Sequence, residues 1–156
     1  MKQNSVEYAQ EKEFKQLLEA HAAAWSKAIK NPEAPARFFA PDEDVIYFDL
    51  IPPFAGYRSW KQLKDSIPDT IISATFTMHD DLYVKCKNDI AWTVSSFHLS
   101  LKFKEGEEIE GDARQTVIWE KRDGKWLIVH LHESTPLPEG CTPYQANSTE
   151  LQQLKS

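Results

Sequence analysis

The stretch WEKRDGKWLIVHLHES, from Trp119 to Ser134, restricts the fold more than any other part of the chain. An Asp-Gly pair between two alternating apolar and polar runs is the strongest short-range signal for a two-residue β-hairpin loop, because both central positions of such a turn need positive φ. A turn at Asp123–Gly124 also acts as a ruler. Arg122 faces Lys125, and regular pairing outward sets Ile118 opposite Val129, Thr116 opposite Leu131 and Arg114 opposite Glu133. Side chains alternate across a strand, so these six share one face. Val129 and Leu131 make it the apolar face, turned toward the core and any pocket. Arg114 and Glu133 then stand at its open end as a cross-strand ion pair. The opposite face carries His130 and His132 with Gln115, Val117, Trp119 and Ile128.

The remainder of the chain provides helices first and strands last. Residues 7–30 read as a helix, with Phe14, Leu17, Leu18, His21, Ala22, Trp25, Ala28 and Ile29 at spacings of three and four. Pro32 and Pro35 stop it. APARFFAP forms a short helical turn that sends Phe38 and Phe39 to the core, and DEDVIYFDLI is a strand rich in β-branched and aromatic residues. After the PPFAG loop, YRSWKQLKDSI is a second helix with Trp60, Leu63 and Ile67 on one face. Beyond Pro68 helical spacing disappears. TIISATFTMHDDLYVKCK is one long strand or a bent pair, IAWTVSSFHLSLKFK another strand, and IEGDARQTVIWEKR enters the hairpin. This order predicts an α+β domain: a strongly curved antiparallel sheet wrapped around N-terminal helices into a cone whose apolar mouth suits a small ligand. The domain is expected over 1–138, with 139–156 a polar tail.

Composition narrows the classes of partner. At 156 residues, 41% hydrophobic and 27% charged, the chain suits one globular core. A net charge of -6 with scattered basic residues lacks the cationic footprint that nucleic acid needs. No apolar run reaches a membrane span and the first twenty residues hold no signal-peptide core, so no membrane partner and a cytoplasmic location are expected. Cys86 and Cys141 are read as reduced thiols. There is no phosphate-cradling glycine loop, nucleophile elbow or dinucleotide fingerprint, so no cofactor is expected.

Several of these pieces together resemble the nuclear transport factor 2-like superfamily, in its SnoaL-like and ketosteroid isomerase-like branch. They are Trp25 late in the first helix, DEDVIYFD, Gly56 opening the next helix, Arg114-x-Thr116, and the DGKWLIVHLHES-x-P hairpin, spanning roughly Glu13 to Pro138. The hairpin is also similar to the one that ends the association domain of calcium/calmodulin-dependent protein kinase II. The resemblance implies the cone-shaped, cystatin-like fold and a homodimer formed through the outer sheet face. It places Asp49, at the end of the first strand, where ketosteroid isomerases hold their general base. Their acidic oxyanion donor lies eight residues before the hairpin glycine, where this chain has Thr116. Their donor tyrosine on the first helix has no counterpart, the nearest aromatic being Trp25. The kinase association domain has a pocket arginine at the place of Glu133.

The candidate catalytic set is therefore Asp49 as general base, Arg114 as electrostatic stabiliser and Thr116 or Tyr47 as hydrogen-bond donor. Asp49 in an apolar mouth would have a raised pKa useful to a base; the plainer alternative is a strand-end aspartate bonding the adjacent loop. Trp25, Phe39, Tyr47, Trp60 and Phe97 are candidates to stack on a ring-shaped ligand or, equally, to pack the core. Val129, Leu131, Glu133 and His132 complete the ligand-binding candidates. A zinc site needs a third ligand and an orienting shell, and His98 on the neighbouring strand could join His130 and His132 as a three-histidine cluster; the preferred reading makes these histidines part of an outer interface with no metal. Two functions follow: a small-molecule-binding protein performing cofactor-free isomerisation, dehydration or cyclisation of an apolar or ring-containing carbonyl compound, or a non-catalytic ligand-binding or oligomerisation module.

Overall fold

Asp123 and Gly124 take φ values of 49° and 77°, so the two-residue turn closes the hairpin in the conformation its sequence favours. The computed structural model describes residues 2–43, 45–50 and 56–135. Around the turn, β5 (Glu108–Arg122) and β6 (Lys125–Ser134) begin in the expected register, with Arg122 opposite Lys125 and Trp119 opposite Ile128. The ladder then slips. Ile118 lies opposite His130, which leaves Val129 as the extra residue of a β-bulge.

That one residue reverses how the two strands share their faces. Val117 pairs with Leu131, Gln115 with Glu133, and Arg114 with Ser134. Val117, Trp119, Ile128 and Leu131 are at most 1% exposed and form the core. The expectation that Arg114 and Thr116 share the pocket face with Glu133 is therefore corrected: both are exposed on the opposite face, and Thr116 is paired with His132. No Arg114–Glu133 ion pair forms; Arg114 Nε donates to Ser134 Oγ at 3.2 Å. Val117, Trp119, Gln115 and Ile128, read as an outer interface, are interior.

On the far side of β6, β1 (Ile46–Phe48) pairs with it in parallel, setting Tyr47 beside Leu131. The curved sheet is thus mixed where the sequence predicted an antiparallel one. β4 (Ile90–Phe103) runs antiparallel to β5. Its two ends carry β3 (Tyr83–Lys87) and β2 (Ile71–Met78), so the segment after Pro68 is a pair of strands. Arg122 bridges Asp42 and Glu120, each at 2.6 Å, tying the hairpin to the segment that enters β1.

Helix α1 (Lys2–Ala28) packs on the inner face. It begins earlier than residue 7 and ends where Lys30 and Asn31 donate to the Lys27 carbonyl, just before Pro32. Its buried positions Phe14, Leu18, His21, Ala22 and Ala28 follow helical spacing. Phe14 meets Trp119 edge-on at 5.7 Å. Trp119 satisfies its indole N–H on Thr93 Oγ1 at 3.0 Å, removing the penalty for burying that donor. A single 3-10 turn, Ala36–Phe38, delivers Phe38 and Phe39 to the core. Helix α2 (Trp60–Asp65) is capped by Ser59, whose hydroxyl accepts from Gln62 N at 3.3 Å. Before it, Gly56 has φ +74°, and a Cβ there would meet the Tyr47 carbonyl at 2.9 Å. Only glycine allows Tyr57 to close its two backbone bonds with Tyr47. The expected loop residues Pro52 to Phe54 and the tail 139–156, with Cys141, lie outside the described residues.

Candidate functional site

A cavity of about 120 Å³ opens between the C-terminal half of α1, the end of α2 with Pro68, and the inner faces of β2 and β4. Its wall is mostly apolar. Trp25, Phe76 and Phe97 contribute aromatic surface, with Phe76 and Phe97 rings 6.0 Å apart and Phe76 6.3 Å from Trp25. Among the described residues five polar side chains reach it: His21, Asp49, Ser66, Gln115 and Glu133. Among the described residues no lysine or arginine lines it.

Four of the polar groups come from elements that meet for different reasons. Asp49 directly follows β1, which the parallel pairing holds against β6. Glu133 faces inward because of the bulge at Val129, and lies beside Gln115 on the neighbouring strand. Gln115, 5% exposed, is held by its amide donating to Ser95 Oγ at 3.2 Å. His21 comes from α1, 3% exposed, and accepts from Trp25 Nε1 at 2.9 Å through Nε2.

The electrostatics of this wall favour neutral forms. Burial first, and the negative charge of Asp49 second, push the Glu133 carboxyl well above the usual carboxylate range. Burial pushes the His21 imidazole down to about 3. An acid pushed toward keeping its proton and a base pushed toward refusing one thus share one apolar chamber. A neutral carboxyl can donate a hydrogen bond, which a carboxylate cannot.

Of the residues singled out from the sequence, the structure brings Asp49, Glu133, Trp25 and Phe97 to the cavity. Tyr47, Phe39 and Leu131 are buried in the core and do not line it; Tyr47 donates weakly to the Ile128 carbonyl at 3.4 Å, and Phe39 stacks on Trp60 at 4.8 Å. Val129 borders a separate surface depression with Asp42 and Arg122. His132 is exposed beside Phe48, and His130 Nδ1 donates to the Ile46 carbonyl at 2.8 Å. His98 and His79 both bond Asp112 Oδ1 at 3.0 Å on the outer side of the sheet. Among the described residues no three His, Cys, Asp or Glu side chains are arranged to hold a metal ion. The sequence reading missed His21, Gln115 and Ser66. His21 was visible as a polar residue on the core face of a helix, and nothing else marked it.

A family model described as a SnoaL-like domain matches residues 16–138. No curated protein matches the chain by sequence. Among solved structures, a nuclear transport factor 2-like protein from Salmonella enterica superposes with a TM-score of 0.68 at 18% identity, covering 83% of this chain and 96% of that one. A Xanthomonas campestris protein provisionally named a calcium/calmodulin-dependent protein kinase II association domain gives 0.66 at 26% identity, covering 81% and 87%. A Novosphingobium aromaticivorans protein provisionally named a scytalone dehydratase gives 0.70 at 13% identity, covering 88% and 89%. The chain belongs to the SnoaL-like family, and its fold is the one found in nuclear transport factor 2-like proteins.

Proposed function

We propose that the cavity binds a small, neutral, largely apolar carbonyl compound and that Asp49 and Glu133 move a proton on it without a cofactor. The observation that carries this reading is the pairing of two carboxyl groups in one apolar cavity, with Glu133 pushed toward its neutral form partly by Asp49. Environments that separate two titratable groups mark one as base and the other as acid. Asp49 would take a proton from the carbon beside the carbonyl. Glu133 would donate a hydrogen bond to the oxygen as charge develops there, and the proton would return at the same or another carbon. Formation of the enolate is the shared step: in isomerisation the proton returns at another carbon, in dehydration it leaves with the β-hydroxyl as water, and in aldol-type cyclisation the enolate carbon adds to a second carbonyl whose oxygen takes the proton. Arg114 and Thr116 have no part in it, since they stand on the other face of the sheet.

The outer face supports a second element of the proposal, a homodimer. Tyr83, Ile90, Trp92 and Val94 stand side by side on β3 and β4, each 37–55% exposed, a continuous apolar surface that a second copy would cover.

The test of proton transfer is exchange of the methyl protons of acetophenone in D₂O, followed by ¹H NMR. The protein should accelerate exchange. Asp49→Asn should lower the catalysed rate by about 100-fold or more, while Asp112→Asn, on the outer face, should leave it unchanged. Exchange no faster than in buffer, or undiminished by Asp49→Asn, would sink the catalytic reading and leave the non-catalytic binding module.

A further inference from the structure

Three polar groups on the cavity wall, His21, Ser66 and Gln115, have no role in that scheme, and His21 is the most deeply buried of them. His21 is buried on α1, lines the cavity and touches Phe38 and Phe39 edge-on at 5.3 and 5.5 Å. Neither phenyl ring offers a lone pair. Its other neighbour, Trp25, decides the tautomer. An indole N–H is a donor only, so at 2.9 Å from Trp25 Nε1 the His21 Nε2 must accept and carries no hydrogen. Burial holds the ring neutral, so its single hydrogen sits on Nδ1. Among the described residues the bond to Trp25 is the one hydrogen bond the ring makes.

From this arrangement we infer that His21 is a ligand-anchoring residue, its Nδ1–H holding the oxygen of a neutral carbonyl ligand while Trp25 locks the tautomer that presents it. The inference rests on the small-molecule reading of the cavity and adds a specificity-determining group to it. A neutral N–H selects an oxygen acceptor without requiring that the ligand be charged. With no lysine or arginine among the described lining residues, an anionic ligand would find no counter-charge. The same pair of residues explains why a histidine is buried here at all. A phenylalanine would fill the space but leave Trp25 Nε1 without its acceptor, and a cationic histidine would cost the desolvation of a charge.

Two measurements on the intact chain test this. The first is the ¹⁵N spectrum of the imidazole: His21 should carry hydrogen on Nδ1, with Nε2 bare, from about pH 5 to about pH 8. The second is binding of acetophenone against ethylbenzene, which has a similar shape and no acceptor. Wild type should prefer the ketone by about tenfold, the value of one hydrogen bond, and the ketone alone should shift the Nδ1–H signal. His21→Phe should lose most of that preference, leaving what Glu133 supplies. Trp25→Phe, which keeps the imidazole, should let the Nε2–H tautomer appear and should weaken the preference. An Nε2–H tautomer in wild type, or a ketone preference undiminished in His21→Phe, overturns the assignment and leaves the proton-transfer reading standing. A preference lost in His21→Phe, together with absent methyl-proton exchange, supports the assignment and removes the proton-transfer reading alone.

Discussion

Glu133 and Asp112 are carboxyl groups on neighbouring strands of one sheet, and the sheet treats them in opposite ways. Glu133 points into an apolar cavity beside Asp49 and is pushed toward its neutral form. Asp112 points outward, takes hydrogen bonds from His79 and His98, and is held below the usual carboxylate range by them. His21, on the inner side, is pushed the other way from Glu133 but to the same end, an uncharged group. What separates the two faces is therefore the cost of charge rather than residue type. On the inner face Glu133 and His21 are both pushed toward their uncharged forms, the kind of environment that the proposed acid–base chemistry needs. The outer face leaves its groups solvated and paired.

The contrast can be attacked first through acid stability. His21 in the folded state takes a proton only near pH 3, against about 6.5 when unfolded. Between those values the unfolded chain binds more protons, so stability falls as the pH drops. His21 alone should cost wild type about 4 kcal/mol of unfolding free energy between pH 6.5 and pH 3, at about 1.4 kcal/mol per tenfold change in proton affinity. Urea melts of His21→Phe should lack that component; an unchanged pH slope would mean that the inner face does not exclude charge. The next effect is packing. Leu131 and His132 are adjacent but fall on opposite faces, at 1% exposure and exposed respectively. Leu131→Ala should cost about 3 kcal/mol in chemical denaturation, and His132→Ala less than about 0.5 kcal/mol. Equal costs would contradict the facing imposed by the bulge. The smallest effect on stability should come from Trp92→Glu on the outer face. Analytical ultracentrifugation should show it converting a dimer to monomer while acetophenone binding persists; a monomeric wild type would remove the homodimer proposal.

These outcomes bear on features that differ in how plainly the sequence announced them. The Asp123–Gly124 turn, the helical spacing of α1 and the strand texture after Pro68 are local signals, and local signals led to the right fold class. The cavity depended on two non-local events. Val129 is an ordinary strand residue, and nothing in VHLHES marks it as a bulge. Yet its insertion decides whether Gln115 or Arg114 shares the inner face with Glu133. The parallel pairing of β1 with β6 joins segments some eighty residues apart and carries Asp49 to Glu133, and a three-residue strand offers no register signal of its own. Thr116 and Arg114 looked like the pocket pair because regular alternation was carried through the bulge. His21 looked like core because it is core, with one face open to the cavity.

The central claim is that burial and Asp49 push the Glu133 carboxyl toward its protonated form in the cavity. Its direct test is a ¹³C NMR titration of the Glu133 side-chain carboxyl in wild type and in Asp49→Asn. The account predicts a midpoint well above the ordinary glutamate range in wild type. Asp49→Asn should lower it without restoring the ordinary value, because burial is the larger cause. Since the folded chain then holds a proton that the unfolded chain releases above about pH 4.5, Glu133→Gln should also melt higher than wild type, by a margin that widens as pH rises above that value. A Glu133 carboxyl that titrates like a free glutamate, indifferent to Asp49→Asn, would contradict the account.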